Sequence, residues 1–182
     1  MEEDDDHALL QRFRRGDREA FETLVARYQR PIYNAALAIL RRAEDASDVT
    51  QTVFLRVVEK GEGYDPQYKF FSWLYRIAVN ESLDLLRRGR HEAPLDDEFD
   101  AADAEGRRPE DVLTRAETSM RIRRGVMGLG VNDRVVISLR HFSECSYDEI
   151  AEILDLDAKT VKSRLFEARR RLRLVLGDLG AA

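Results

Sequence analysis

Seven lysines and arginines lie between residues 159 and 173: Lys159, Lys162, Arg164, Arg169, Arg170, Arg171 and Arg173. Cations at that density neutralise phosphates, and those in the first turns of a helix can reach base edges in a major groove. Spacing decides which of them face outward. Val161, Leu165, Ala168 and Leu172 recur at intervals of four, three and four, and at 100° per residue they form one narrow inward arc. Lys159, Ser163, Phe166 and Arg170 then point away from it, flanked by Lys162, Arg169 and Arg173, while Arg164 and Arg171 lean toward the core edge. With Thr160 in the first turn, the candidate DNA-reading set is Lys159, Thr160, Lys162, Ser163, Arg164, Phe166, Arg169 and Arg170.

A reading helix needs a second helix to brace it. Ser146 and Glu149 form an S-x-x-E pattern ahead of an apolar run that would bury Ile150, Ala151 and Leu154, which is the signature of a capping box. The "DLD" at 155–157 then makes a short turn, in which Asp155 tolerates a left-handed conformation and Asp157 can cap the next helix. Box, turn and basic outer face coincide in a helix-turn-helix. A basic helix face alone would more often be merely solvated.

Upstream the chain also reads as helix. Asp17 can cap a segment with Phe21, Leu24, Val25, Tyr28, Ile32, Ala35, Ala36 and Ile39 on one face, kinked at Pro31. A second helix from about Asp45 carries Val49, Val53 and Val57, and "KGEGYDP" at 60–66 breaks the pattern. A third, roughly 71–88, turns Trp73, Leu74, Ile77, Ala78 and Leu85 inward. Residues 91–111 are acidic, aperiodic and interrupted by proline, which predicts an extended, mobile linker. The expected fold is all-α: two small helical domains, 1–90 and 112–182, joined by a flexible acidic linker at 91–111.

The bulk numbers bound the chemistry. The chain of 182 residues is 43% hydrophobic and 36% charged, which suits helices with apolar stripes and charged outer faces. Its net charge of −5 is no objection to DNA binding, because the carboxylates concentrate in the N-terminus and the linker. Cys145 is the single cysteine, and His7, His91 and His141 are scattered, so neither a disulfide nor a metal or cofactor site is expected. The acidic N-terminus is no signal peptide and the longest apolar run, "AALAIL", is too short to cross a bilayer, so a soluble cytoplasmic protein is expected.

Two stretches of this chain resemble a known family. "DASDVTQTVFLRVVEK" followed by "FFSWLYRIAVNESLDLLRRGR" is similar to the second conserved region of bacterial sigma factors. "CSYDEIAEILDLDAKTVKSRLFEARRRL" resembles their fourth, and the order and short linker resemble the extracytoplasmic-function (ECF) group of the sigma-70 family, over residues 17 to 176. The resemblance implies a promoter-specificity subunit and not an enzyme, with core RNA polymerase (beta and beta-prime subunits) and promoter DNA as partners. An anti-sigma factor is a further partner that it admits.

By that resemblance the helix at 158–173 would read the minus-thirty-five element, and the linker would pass near the RNA exit path. Asp48, Gln51, Leu55 and Arg56 stand where the family contacts core polymerase, and their polar groups suit a polar helical partner as well as a solvated surface. Minus-ten recognition and melting would fall to Tyr64, Lys69, Phe70, Phe71, Ser72, Trp73, Arg76 and Asn80, where aromatics and amides can hold bases turned out of the duplex. Trp73 and one of the two phenylalanines are expected in the core instead. Asp155 and Lys159 replace glycines common in the family, and Gly130 stands where proline is frequent. The rival readings are a two-domain helix-turn-helix regulator that never joins polymerase and, more weakly, a resolvase-like recombinase.

Overall fold

Asp17 accepts a hydrogen bond from the Ala20 amide at 3.3 Å and opens the longest helix, α2 (Arg18–Leu40). Pro31 lies inside α2 without ending it. The helix stops where Arg41 turns left-handed, at φ 66°. In this computed structural model the described residues are 5–60, 64–65, 68–89 and 120–178. α3 (Ala43–Lys60) and α4 (Phe70–Arg87) pack on α2 and on each other. Leu24, Ile32, Leu37, Ile39, Val49, Val53, Val57, Leu74 and Ala78 fill the space between them.

One helix is additional to those expected. α1 (Asp6–Arg14) lies against α2, burying Leu9 and Leu10, while Asp6 receives the Arg27 guanidinium and the Tyr28 hydroxyl. Burial and Asp6 both push the Tyr28 hydroxyl well above its ordinary pKa, so it stays a donor.

The C-terminal unit contains a helical segment at 120–127, here α5, followed by α6 (Val131–His141), α7 (Tyr147–Leu154) and α8 (Ala158–Asp178). Both halves of the capping box form: the Glu149 amide donates to Ser146 Oγ at 3.2 Å and the Ser146 amide to Glu149 Oε2 at 2.7 Å. Ile150 and Ile153 are buried, with Ala151 and Leu154 half-buried beside them. Asp157 caps α8 by accepting from the Thr160 amide at 2.7 Å. Between these helices Asp155 sits at φ 52°, ψ 53°, the left-handed well in which an L side chain is strained. Asp155→Gly is therefore expected to raise stability by roughly 0.5–1 kcal/mol and Asp155→Val to lower it, read from urea midpoints.

The expected linker at 91–111 lies outside the described residues. Around it the two units are not simply tethered: α2 packs on α6 and α4 on α7, and their apolar cores run together. Arg134, only 5% exposed, spans the seam and donates to the carbonyls of Leu129 at 2.7 Å and Ile39 at 2.8 Å. Burial, reinforced by nearby Arg41, lowers its pKa to about 10.

Candidate nucleic-acid interface

α8 presents the face that its spacing demands. Val161, Leu165 and Ala168 are buried, and Leu172 is half-buried. Lys159, Lys162, Ser163, Arg164 and Arg170 are exposed, as is Phe166 at 62%, a large ring with no packing reason to be there. Thr160 is half-buried, its hydroxyl spent on Asp157 at 2.6 Å. The later arginines are less available than their number suggests. Arg170 pairs with Glu167 at 2.9 Å, Arg171 with buried Asp133 at 2.7 Å, and Arg169 Nε donates to His141 Nε2 at 3.3 Å. Burial and the arginines beside it lower the His141 pKa, which suits that acceptor role. Among the described residues no ion pair engages Lys159, Lys162, Arg164 or Arg173.

The expected minus-ten residues separate into two layers. Tyr64, Phe70 and Ser72 are buried, so they are not open to a base in this arrangement. Phe70 sits edge-on to Tyr64 at 5.5 Å and Tyr28 at 5.9 Å, and α4 begins at Phe70 itself, which turns the ring into the core. Lys69, Arg76 and Asn80 are exposed, with Phe71 and Trp73 half-buried. Lys69 Nζ lies 5.7 Å from the centre of the Phe71 ring, and half-buried Phe71 is more accessible than buried Phe70. Tyr64, Ser72, Trp73 and Arg76 line a cleft of about 260 Å³ that Glu152 of α7 also borders.

On α3 the third set is exposed in part. Asp48 and Gln51 face solvent and Leu55 is 59% exposed, but half-buried Arg56 is drawn to Glu81 of α4 at 3.3 Å. Val58, which the residue spacing did not single out, is 53% exposed one turn beyond Leu55. Together with Phe21, Val25 and Phe54 these two line an apolar groove of about 360 Å³. A pair of aliphatic side chains outside the Val49–Val53–Val57 stripe was the available signal for Val58.

Comparison with known proteins decides what these surfaces belong to. The Sigma-70 region 2 family model matches residues 24–92 and the Sigma-70, region 4 model residues 119–172. The ECF RNA polymerase sigma factor SigW of Bacillus subtilis is 33% identical over 179 residues, which cover 93% of this chain and 96% of that protein. The chain belongs to the ECF sigma factors of the sigma-70 family. The RNA polymerase sigma-H factor of Pseudomonas aeruginosa is 31% identical, over 98% of this chain and 97% of its own. Among solved structures, CnrH in complex with the cytosolic domain of CnrY superposes with a TM-score of 0.69 at 27% identity, covering 95% of this chain and 97% of that one. The sigma factor RpoE of Bartonella quintana, in complex with the anti-sigma factor NepR, shares the fold with a TM-score of 0.68 at 21% identity, covering 86% of this chain and 96% of that one.

In this sigma factor the region 2 match begins at Leu24, inside α2, and the region 4 match takes in α5, α6, α7 and most of α8. The contacts joining the two regions were not expected. Lys69 Nζ meets Glu149 Oε1 at 2.5 Å, and Arg76 donates to the Glu152 carbonyl. The hydrogen bond to Glu149 holds the Lys69 ammonium above its usual pKa. Partial burial alone would lift the Glu149 carboxyl, but Lys69 and the Ser146 amide outweigh it and bring it below its ordinary value.

Proposed function

We propose that this sigma factor joins core RNA polymerase through α3 of region 2, opens the minus-ten element with α4 and the loop before it, and reads the minus-thirty-five element with α8. The supporting observation is the uncovered apolar groove on α3. Leu55 and Val58 leave aliphatic surface in water on the same helix as exposed Asp48 and Gln51. Exposed apolar surface beside polar groups is what a protein–protein contact uses, and docking on core polymerase calls for such a surface. Domains at 1–90 and 112–182 separated by an acidic linker fit this division of labour, as does a cytoplasmic location. No catalytic residue takes part.

The decisive test is co-purification with core RNA polymerase followed by transcription from a genomic promoter library. Leu55→Asp with Val58→Asp should weaken core binding by at least about tenfold, while stability stays within about 0.5 kcal/mol because neither side chain is buried. Retention of DNA binding without any association with core polymerase would turn the reading to a conventional regulator. An anti-sigma partner has room in the cleft of about 560 Å³ between the regions, which Tyr28, Pro31, Phe71, Tyr75 and Phe142 line.

A further inference from the structure

We propose that His141 is a positioning residue for a phosphate contact made by Arg169, and that protonation of its ring adds a second cation to that contact. The inference rests on the reading of Arg169 as a backbone anchor on the minus-thirty-five duplex and goes beyond it by naming what holds the anchor. α6 ends on His141 and packs on α8, and Arg169 Nε of α8 donates to His141 Nε2 at 3.3 Å. A ring nitrogen that accepts carries no proton, so the imidazole is neutral with its own hydrogen on Nδ1. With Nε engaged, the two terminal amino groups of Arg169 remain as a fork for one phosphate. The neighbouring arginines show why a neutral partner matters. Arg170 is paired with the Glu167 carboxylate at 2.9 Å and Arg171 with that of Asp133 at 2.7 Å, so each brings DNA a charge that is already compensated. Arg169 is oriented without being compensated, by a side chain that can itself change charge near neutral pH.

The surroundings of the ring keep it neutral until DNA arrives. Partial burial, then the cations Arg169 of α8 and Arg140 of α6, hold its pKa below the ordinary histidine value. Among the described residues no carboxylate of α2, α7 or α8 pairs with it. Arg140 is turned toward the start of α7. It donates to the Cys145 carbonyl at 2.8 Å and lies 5.4 Å from the centre of the Tyr147 ring, so it leaves Nε2 to Arg169. The last carbonyls of α6 favour a cation at His141, and a phosphate held by Arg169 would favour it more strongly. DNA binding therefore raises the His141 pKa. By linkage the DNA-bound chain holds more protons, so affinity rises as pH falls through the interval between the two pKa values and is level above it.

Titration of the full-length chain with a mixed-sequence duplex of about twenty base pairs, between about pH 5.5 and pH 8 and at several salt concentrations, tests this. Affinity of the wild-type chain should rise about three- to tenfold toward the acid end, with the salt slope steeper there by up to about one. His141→Gln offers Arg169 an amide oxygen but cannot take up the proton. It should match the wild type at the alkaline end and lose the acid gain. His141→Ala supplies neither, and should bind about two- to threefold more weakly than His141→Gln at every pH. The ring is exposed, so neither change disturbs the core of region 4. An undiminished acid gain in His141→Gln would take the proton away from His141. Equal affinity of His141→Ala and His141→Gln would remove the positioning role. Arg169→Ala tells the inference from the reading beneath it. If that variant kept wild-type affinity and salt slope, Arg169 would be no phosphate contact and the reading itself would fall. If it lost affinity while the two His141 variants behaved as wild type, only the role of His141 would fall.

Discussion

Phe70→Ala is expected to destabilise the protein by about 3–5 kcal/mol, visible as a large fall in the urea midpoint and in helical content at 37 °C. The ring is 3% exposed and touches three other aromatics, with centroids 5.5 Å from Tyr64, 5.9 Å from Tyr28 and 5.9 Å from Trp73. Truncation leaves a cavity that Tyr64 cannot fill, because its hydroxyl is committed to the Tyr68 carbonyl at 2.5 Å. Phe70→Leu, which keeps most of the volume, should cost less than half as much. A Phe70→Ala chain with wild-type stability would mean that the ring leaves the core easily and could serve as a base wedge after all.

The melting role is therefore better sought at Phe71 and Asn80. Phe71 is half-buried, stacked edge-on to Tyr75 at 6.2 Å, and Asn80 is exposed further along α4. Phe71→Ala and Asn80→Ala should leave core-polymerase binding intact and slow open-complex formation. A promoter with a pre-melted bubble should restore part of that loss, since the unstacking cost, a few kcal/mol, is already met. Were both variants to open duplex promoters at the normal rate, another part of region 2 would have to do the melting.

Phe70 also shows where the sequence becomes ambiguous. Phe70 lies four residues before Leu74 and eight before Ala78, on the buried stripe of α4, but a helix begun one residue later leaves it in the preceding loop, where periodicity assigns it no face. Long apolar stripes suffer no such ambiguity. Val49, Val53 and Val57, or Val161, Leu165 and Ala168, repeat often enough to fix their inward face, and the Ser146–Glu149 box marks its helix start without help from tertiary structure. α1 offers just over two turns behind a run of aspartates, and its anchors, Arg27 and Tyr28, lie more than twenty residues away. The seam is harder still. Arg134 binds the carbonyl of Ile39, 95 residues distant, and a carbonyl carries no signature in the sequence.

On the proposed groove orientation, Lys162→Ala should shift promoter choice at one or two positions of the minus-thirty-five element by about 1–3 kcal/mol, roughly five- to 150-fold in relative affinity. Lys162 stands in the second turn of α8 beside exposed Ser163 and Phe166, where a helix entering the major groove N-terminus first meets base edges. Arg173 lies further along and should meet phosphate, so Arg173→Ala lowers affinity for every promoter alike and flattens the salt slope by about one. Arg170→Ala should do the same more weakly, because Glu167 already neutralises that guanidinium at 2.9 Å, and Glu167→Gln should strengthen binding to all sequences. Arg171→Ala belongs to neither class: it strips buried Asp133 of its partner and should reduce stability while leaving sequence choice unchanged. Binding titrations on a library of minus-thirty-five variants at two or more salt concentrations separate these outcomes. If Arg170→Ala relaxed sequence choice while Lys162→Ala lowered all affinities equally, the later turns of α8 and not the first would be the ones inside the groove.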